Sequence, residues 1–524
     1  MHRANPVPPP REIELKLEWA AGSVADLLAH PLLLRAEPMP ERSGILRATY
    51  YDTPDLALRR AGLSLRIRER EGRFVQTLKA EGGEHGLALA RDEWEWPLAD
   101  GNLALGAASA TPLAALLAGS DPAGSLAPVF TVETERQVFE CAHGDALIEI
   151  GLDRSRIVAG PERAEFAEIE LELRQGEVGP LFALALDLAD AAALRLSLLT
   201  KSERGYRLRG VPEAEAEPAR ATPIVVLPDW SSADAFRAIA RACLFQIVRN
   251  EEIVRRARSP EALHQMRVGT RRLKAAAAIF EDMLDDRDSA EAMEELRWIG
   301  RKLGRARDID VHVETLRNAG SGLDRDALAK AEEEQARAYA SLLRTFEKRR
   351  FRHAILRLAA WIEAGRWQGR KKAGPARALP AGERARKELG RRWKRIRRAA
   401  RTLAEVGDGR RHRLRIRIKG LRYGIEFFSA TFAGRKAERR RRVMLPVLQN
   451  LQDTLGELND LVVAKRILAA SGDREAARRR KRLLSRTEVL ARRLEKAKPF
   501  WSRKAAEEKP RALNNAAGAP IRTP

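Results

Sequence analysis

The sequence is poor in the residues that commit a chain to redox, zinc or membrane chemistry: among 524 residues, two are cysteine and eight are histidine. Cys141 and Cys243 fall on opposite sides of a proline-rich break. They are too few for a disulfide framework or a zinc finger, and they read as two buried thiols of a reducing, cytoplasmic protein. No uninterrupted apolar stretch approaches the length needed to span a bilayer, and the proline-rich residues 4–10 lack the apolar run of a signal peptide, so no membrane association is expected. Aromatic residues make up 5% of the chain and form no RNA-recognition block, which leaves nucleic acid only as a nonspecific polyanion.

Acid is scarce in one half. Residues 1–228 carry 25 Lys and Arg against 35 Asp and Glu, net −10, whereas residues 229–524 carry 72 against 38, net +34. A polyanion-seeking surface therefore belongs to the C-terminal half. The length exceeds what one hydrophobic core organises, so more than one domain is expected. The run Val211-Pro-Glu-Ala-Glu-Ala-Glu-Pro-Ala-Arg-Ala-Thr-Pro has much proline and little apolar content. Residues 211–228 accordingly read as a semi-rigid linker between a domain at 11–210 and another at 229–505, with 1–10 and 506–524 as disordered ends. Residues 103–129, rich in Ala and Leu but broken by Pro and Gly, read as short helices and loops.

The N-terminal part does have strands that alternate, with charge on one side. In an extended strand successive side chains take opposite faces, so Glu12, Glu14 and Lys16 share one side while Ile13, Leu15 and Leu17 share the other. The pattern returns at Arg66, Arg68 and Arg70 against Leu65 and Ile67, and at Glu168, Glu170 and Glu172 against Ile169, Leu171 and Leu173. Phe74 to Lys79 ends its strand on a lysine. Antiparallel strands of this kind, joined by turns such as Glu71-Gly72, can close into a barrel whose interior holds the charges. Its ligand would be multiply anionic and metal-bound. Glu93, Glu95 and Arg70 read as a solvated outer face with cross-strand ion pairs, and Trp94 and Trp96 as core.

Several blocks agree in order with a known family: Glu12-Ile-Glu-Leu-Lys, Tyr51-Asp-Thr-Pro, Leu63-Ser-Leu-Arg-Ile-Arg, then Lys79, Arg136, Asp153, Glu168-Ile-Glu-Leu-Glu and Lys201-Ser-Glu-Arg-Gly-Tyr. Residues 11–210 thereby resemble the CYTH domain, or triphosphate tunnel metalloenzyme fold, joined to a CHAD domain. The resemblance implies metal-dependent hydrolysis of inorganic triphosphate to diphosphate and phosphate. Hard Mg²⁺ or Mn²⁺ prefers carboxylate oxygen, and Lys and Arg neutralise phosphate oxygens. Glu12, Glu14, Glu168 and Glu170 are then expected to bind metal or position water, with Asp153 as a further ligand. Lys16, Arg66, Arg68, Lys79, Arg136, Lys201 and Arg204 are the expected phosphate clamps, and Lys16 joins the four glutamates as a catalytic residue. Which two of Glu168, Glu170 and Glu172 bind metal stays open.

The C-terminal half contains an internal repeat. His264-Gln-Met-Arg-Val-Gly-Thr-Arg-Arg-Leu-Lys aligns with His412-Arg-Leu-Arg-Ile-Arg-Ile-Lys-Gly-Leu-Arg, and both copies reach a phenylalanine sixteen residues on, Phe280 and Phe428. Downstream, Leu303-Gly-Arg-Ala-Arg-Asp pairs with Leu455-Gly-Glu-Leu-Asn-Asp. Residues 229–500 resemble the CHAD domain, which implies binding of inorganic polyphosphate. At about 100° per residue, His264, Arg267, Arg271 and Lys274 fall within roughly 80° of arc, as do His412, Arg415, Lys419 and Arg422. Met266, Leu273, Ala277 and Phe280 take the opposite side of the first helix; Leu414, Ile418, Leu421, Ile425 and Phe428 take that of the second. Neither cationic stripe includes an acid, unlike ordinary solvated faces that mix signs. The runs Arg439-Arg-Arg-Arg and Arg478-Arg-Arg-Lys-Arg match no repeat and read as general basic surface.

The fold class expected is α+β: an N-terminal antiparallel β-barrel or tunnel with peripheral helices, followed by an all-α domain of two repeated helical bundles. The function expected is a metal-dependent triphosphatase carrying a polyphosphate-binding domain. Two alternatives remain, a polyphosphate-binding or targeting protein with weak catalysis and a class IV-type adenylate cyclase, which would also need a nucleotide pocket.

Overall fold

The computed structural model describes residues 11–21, 24–80, 89–117, 126–210, 217–318, 324–403, 405–468 and 474–502. The expected disordered ends lie outside these residues. Ten strands are described: β1 (Arg11–Ala21), β2 (Glu37–Pro38), β3 (Gly44–Asp52), β4 (Leu63–Arg70), β5 (Arg73–Ala80), β6 (Leu89–Leu98), β7 (Ala127–His143), β8 (Ala146–Ala159), β9 (Glu162–Gln175) and β10 (Ala193–Ser197). The pairing order β1-β6-β5-β4-β3-β7-β8-β9 returns to β1, so eight antiparallel strands close a ring; β10 lies on β1 and β2 on β7. Closure occurs along β1, where Lys16 is in register with Glu170 of β9 and with Ser197 of β10, and Glu14 with Leu89 of β6.

Alternation decides the two faces of this ring. Leu15, Leu17, Leu63, Leu65, Ile169 and Leu171 are buried on its outer side. There they meet short helices, α1 (Val24–Leu28), α2 (Pro31–Arg35), α3 (Ala57–Arg60) and α4 (Pro112–Leu117), and the longer α5 (Val178–Ala191), which packs on β1, β7, β8, β9 and β10. Leu58, Leu63, Leu65, Leu78, Ala108 and Leu113 form one outer cluster, with Trp94 and Trp96 of β6 packed against it and half-buried. The β4–β5 hairpin turns on Glu71 and Gly72, both at positive φ (50° and 74°), the backbone that matches the twist of paired strands.

A further short helix, α6 (Lys201–Leu208), follows β10. From Ser232 onward the described residues form helices: α7 (Ser232–Ala257), α8 (Pro260–Ile279), α9 (Arg287–Arg317), α10 (Arg325–Phe346), α11 (Arg349–Ala364), α12 (Gly374–Ala378), α13 (Ala381–Ala400), α14 (Asp408–Phe427), α15 (Arg435–Leu468) and α16 (Arg474–Lys496). Two compact units result, one within Met1–Ala221, Arg241–Thr270 and Asp286–Arg366, the other within Thr222–Ala240, Arg271–Asp285 and Trp367–Pro524. In the second unit the two repeat phenylalanines meet, Phe280 and Phe428, with ring centroids 6.2 Å apart. The expected linker is not free chain throughout. Ile224 and Val226 are buried while Val225 and Leu227 between and beside them stay exposed, and the Val226 carbonyl accepts a hydrogen bond from Thr431 at 2.8 Å.

Candidate functional site

The inward face of the barrel encloses a cavity of about 590 Å³. β1 contributes Glu14 and Lys16, β4 Arg66 and Arg68, β5 Lys79, β7 Arg136, β9 Glu170 and Glu172, and the first turn of α6 Lys201. Six of the seven expected phosphate clamps are therefore brought together, from four strands and one helix.

Beneath them lies a buried ionic cluster. Lys201 Nζ donates to Asp153 (2.8 Å), Glu168 (2.5 Å) and Glu170 (2.8 Å). Arg136 forks onto Asp153 at 2.7 and 2.5 Å and also reaches Glu170. Lys16 donates to Glu170 and lies 3.4 Å from Glu14. Gly151 sits against the Arg136 guanidinium, where a Cβ would come 3.6 Å from Cζ. For five of these groups burial disfavours charge, yet the opposite charges prevail: Lys16, Lys201 and Arg136 hold their protons above the ordinary range, and Asp153 and Glu170 are held below theirs.

This donor set suits a hard divalent cation. Ligand oxygens of Asp153, Glu168 and Glu170 lie within 4.8 Å of one another. Glu168 Oε2 is buried without a hydrogen-bond partner, an acceptor the protein itself leaves unused. Glu14 and Glu172, in register on β1 and β9, add carboxylates on the cavity side.

The block Lys201-Ser-Glu-Arg-Gly-Tyr explains itself residue by residue. Thr200 and Glu203 form a reciprocal capping box that starts α6 where Lys201 meets the cluster. Gly205 lets α6 press onto Phe130, since a Cβ there would fall 2.1 Å from the ring. Tyr206 donates to Asp52 at 2.7 Å, and Asp52 also accepts from the backbone of Thr53, Leu58 and Arg59. The Tyr51-Asp-Thr-Pro block thus anchors the helix that carries Lys201; it is a structural latch between two distant motifs.

Several expectations need correction. Arg204 does not line the cavity: its guanidinium stacks over Phe166 at 4.5 Å, one helical turn beyond Lys201. Glu93 and Glu95 do not belong to a solvated outer face. They line the cavity, Glu93 3.0 Å from Lys79 and Glu95 3.0 Å from Arg68, because β6 continues the inward parity of its neighbour β5. Glu12 belongs to β1, but its side chain lies outside the described residues. Reading the sequence also missed Arg174, Glu149 and Arg42. Arg174 and Glu149 each continue an inward parity, and Arg174 reaches Glu149 at 2.6 Å. Arg42, which pairs with Glu149, comes from a turn with no periodic signal.

In the helical region, Met266, Leu273 and Ala277 of α8 and Phe280 just beyond it are buried while His264, Arg267, Arg271 and Lys274 are half-exposed. Along α14, Leu414, Ile418, Leu421 and Ile425 are buried, as is Phe428 just beyond it; His412 is exposed, and Arg415, Lys419 and Arg422 are half-exposed. Within the second unit Lys419 is lowered to about 8 by burial, then by Arg415, Arg271 and Arg422, against the opposing Asp453. Nε of Arg271 and of Arg415 is buried with no hydrogen-bond partner.

Residues 10–206 match the CYTH domain family and residues 238–469 the CHAD domain family. The chain is a CYTH–CHAD protein. An inorganic triphosphatase of Haemophilus influenzae is 30% identical over 203 residues, 38% of this chain. The match spans 55% of that relative's length. An uncharacterised protein of Mycobacterium tuberculosis is 25% identical over 504 residues, covering 88% of this chain and 89% of its own. Among solved structures, the CHAD domain of the plant Ricinus communis is 28% identical, covering 53% of this chain and 96% of that one, with a TM-score of 0.43. Among the described residues, no helix of this CYTH–CHAD protein is long and apolar enough to cross a membrane.

Proposed function

We propose that this CYTH–CHAD protein hydrolyses inorganic triphosphate to diphosphate and phosphate inside the barrel, with Mg²⁺ or Mn²⁺, and binds polyphosphate through its helical half. The observation that carries the first part is a closed barrel whose cavity sets Lys16, Arg66, Arg68, Lys79, Arg136 and Lys201 against buried carboxylates. Asp153, Glu14, Glu168, Glu170 and Glu172 would hold the cation. When bound, it polarises a phosphoryl oxygen and makes water a better nucleophile. The lysines and arginines exchange carboxylate partners for phosphate oxygens as substrate enters, and they neutralise charge on the departing diphosphate. Glu170, held ionised by three cations, is a ligand rather than a base until those cations turn to phosphate.

The cavity favours an inorganic substrate. Tyr50 is the one aromatic among its described lining residues, and that ring stacks on Phe130 with centroids 4.7 Å apart, so the lining is dominated by groups that suit phosphate. Phosphate release by the purified full chain should be fastest with triphosphate, slower with longer polyphosphate and ATP, and abolished by EDTA. No release with either metal leaves the binding-only reading, and formation of cyclic AMP favours the cyclase.

Support for polyphosphate binding comes from like charge gathered in the second unit, where Arg415, Arg271 and Arg422 press the half-exposed Lys419 down to about 8. Affinity should fall steeply with salt. Arg271→Glu with Arg415→Glu should weaken binding more than reversal of Arg439 and Arg442. Equal loss from both pairs, with equal displacement by duplex DNA, would reduce the surface to general polyanion attraction.

A further inference from the structure

The two ends of the barrel differ. α6 sits at one of them: its Gly205 lies on Phe130 near the start of β7, and its Tyr206 reaches Asp52 at the end of β3. From there, paired rows of same-side residues lead away along β8 and β9. Asp153 and Glu168 form the first row, Gly151 and Glu170 the second, Glu149 and Glu172 the third; Lys16 of β1 is in register with the second row and Glu14 with the third. Each row is two residues on, so the third lies about 13 Å along the strand from the first.

Lys201, Arg136 and Lys16 meet the carboxylates of the first two rows. At the third row Glu149, 4% exposed, accepts from Arg174 at 3.1 and 2.6 Å and also pairs with Arg42. Arg174 lies 2.5 Å from Glu172 as well. A buried carboxylate needs a cationic partner, but Glu149 has two, so one guanidinium can leave without stranding its charge. Arg42 is the one suited to leave, since its side chain is 43% exposed against 28% for Arg174, which is tied to two acids. The turn that carries Arg42 is pinned to β7. Met39 N–H donates to the Val138 carbonyl at 2.9 Å, and the Ser43 hydroxyl accepts from Val138 N–H at 2.9 Å while donating to the Met39 carbonyl at 2.8 Å. The guanidinium thus turns on a fixed base, at the same cavity as the phosphate clamps.

We propose that Arg42 lets the barrel accept linear phosphoanhydride chains of more than three phosphoryl groups; the assignment rests on the reading of this cavity as a triphosphate site. Three phosphoryl groups find Lys201, Arg136 and Lys16 along the first two rows. A fourth reaches the third row, where Glu149 repels it unless a cation turns to meet it. Arg42 exchanges Glu149 for the fourth phosphoryl group, on which its fork makes charge-assisted hydrogen bonds, while Arg174 keeps Glu149 paired. Discrimination by chain length is then a difference between substrates made at one guanidinium.

The test compares triphosphate with tetraphosphate as substrates of the full chain and of its Arg42→Gln and Arg42→Lys variants, with Mg²⁺ or Mn²⁺, by phosphate release. Arg42→Gln should lower kcat/KM for tetraphosphate at least about tenfold more than for triphosphate, through KM rather than kcat, on the scale of one charge-assisted hydrogen bond. Arg42→Lys should recover part of the difference, because the charge returns without the fork. Equal losses for the two substrates, or no loss for tetraphosphate, overturn the proposal. Calorimetric titration of the wild type and Arg42→Gln with both anions separates the subsite from hydrolysis, since the helical half is the same in the two chains. If the wild type releases no phosphate but tetraphosphate affinity falls selectively in Arg42→Gln, hydrolysis is overturned and the subsite stands; with no selective fall, the subsite is overturned too.

Discussion

The guanidinium of Arg415 lies over Gly456, where a Cβ would come 3.4 Å from Nε and 3.5 Å from Nη2. The repeat copies the arrangement: Arg267 lies over Gly304, whose Cβ would come 3.1 Å from Nη1. Both glycines sit in the Leu-Gly pairs at 303–304 and 455–456, inside long helices where glycine costs roughly 1 kcal/mol against alanine. The missing side chain is the floor on which each arginine rests.

Replacing that floor should therefore separate helix stability from binding. Gly456→Ala should leave polyphosphate affinity nearly unchanged or lower it slightly while raising the melting temperature. Gly456→Leu should displace Arg415 and weaken affinity by about tenfold, the scale of one charge-assisted hydrogen bond. Titration with long polyphosphate and thermal unfolding of both variants provide the check; equal affinity in Gly456→Leu would show that Arg415 makes no contact.

Two carboxylates of the barrel should behave differently on neutralisation. Glu14→Gln neutralises a carboxylate beside Lys16 that is proposed to hold the cation, and should lower phosphate release about a hundredfold or more with little change in melting temperature. Glu168→Gln should lower both, because Lys201 then loses a partner at 2.5 Å in a fully buried site. Wild-type turnover in either variant at saturating metal would refute its assignment.

Gly205→Ala should destabilise the protein by about 1–3 kcal/mol or more, since the new methyl group collides with Phe130. Activity should fall with it, because α6 carries Lys201 into the cluster. Phe130→Leu in the same chain should recover part of both. Thermal unfolding and phosphate release measured side by side decide this; an alanine variant that melts like the wild type would mean that α6 can shift freely.

Polyphosphate affinity should depend on pH through Lys419. Its free value is about 8, and a bound polyanion favours the charged form, raising it. Well below pH 8 the ammonium is already present, so Lys419 adds no slope there. As pH rises through 8 the free protein loses that proton and must regain it on binding, so affinity falls by up to about tenfold per pH unit. Binding titrations at constant ionic strength should show this slope, and Lys419→Met should flatten it.

Much of the site was legible before any coordinates because strand parity is a local rule. Once Leu15, Leu65 and Ile169 claim the apolar face, Lys16, Arg66, Arg68, Glu168 and Glu170 have only the other one, and the same logic placed Arg415, Lys419 and Arg422 opposite Leu414 and Ile418. Ring closure was a different matter, since it depends on β1 pairing with β9, a contact between segments about 150 residues apart that parity cannot reveal. Parity also leaves undecided which side of β6 is the interior; only its pairing with β5 turns Glu93 toward Lys79. Arg204 shows the limit of a motif: three residues past Lys201 in the same block, it is carried past the cavity by one turn of helix and stacks on Phe166. Sequence alone determined which side chains share a face, because that follows from the geometry of two or four consecutive residues. Tertiary structure decided which faces enclose one another and which buried charges meet, because those depend on long-range pairing, and it was there that Lys201, Arg136 and Lys16 found Asp153 and Glu170.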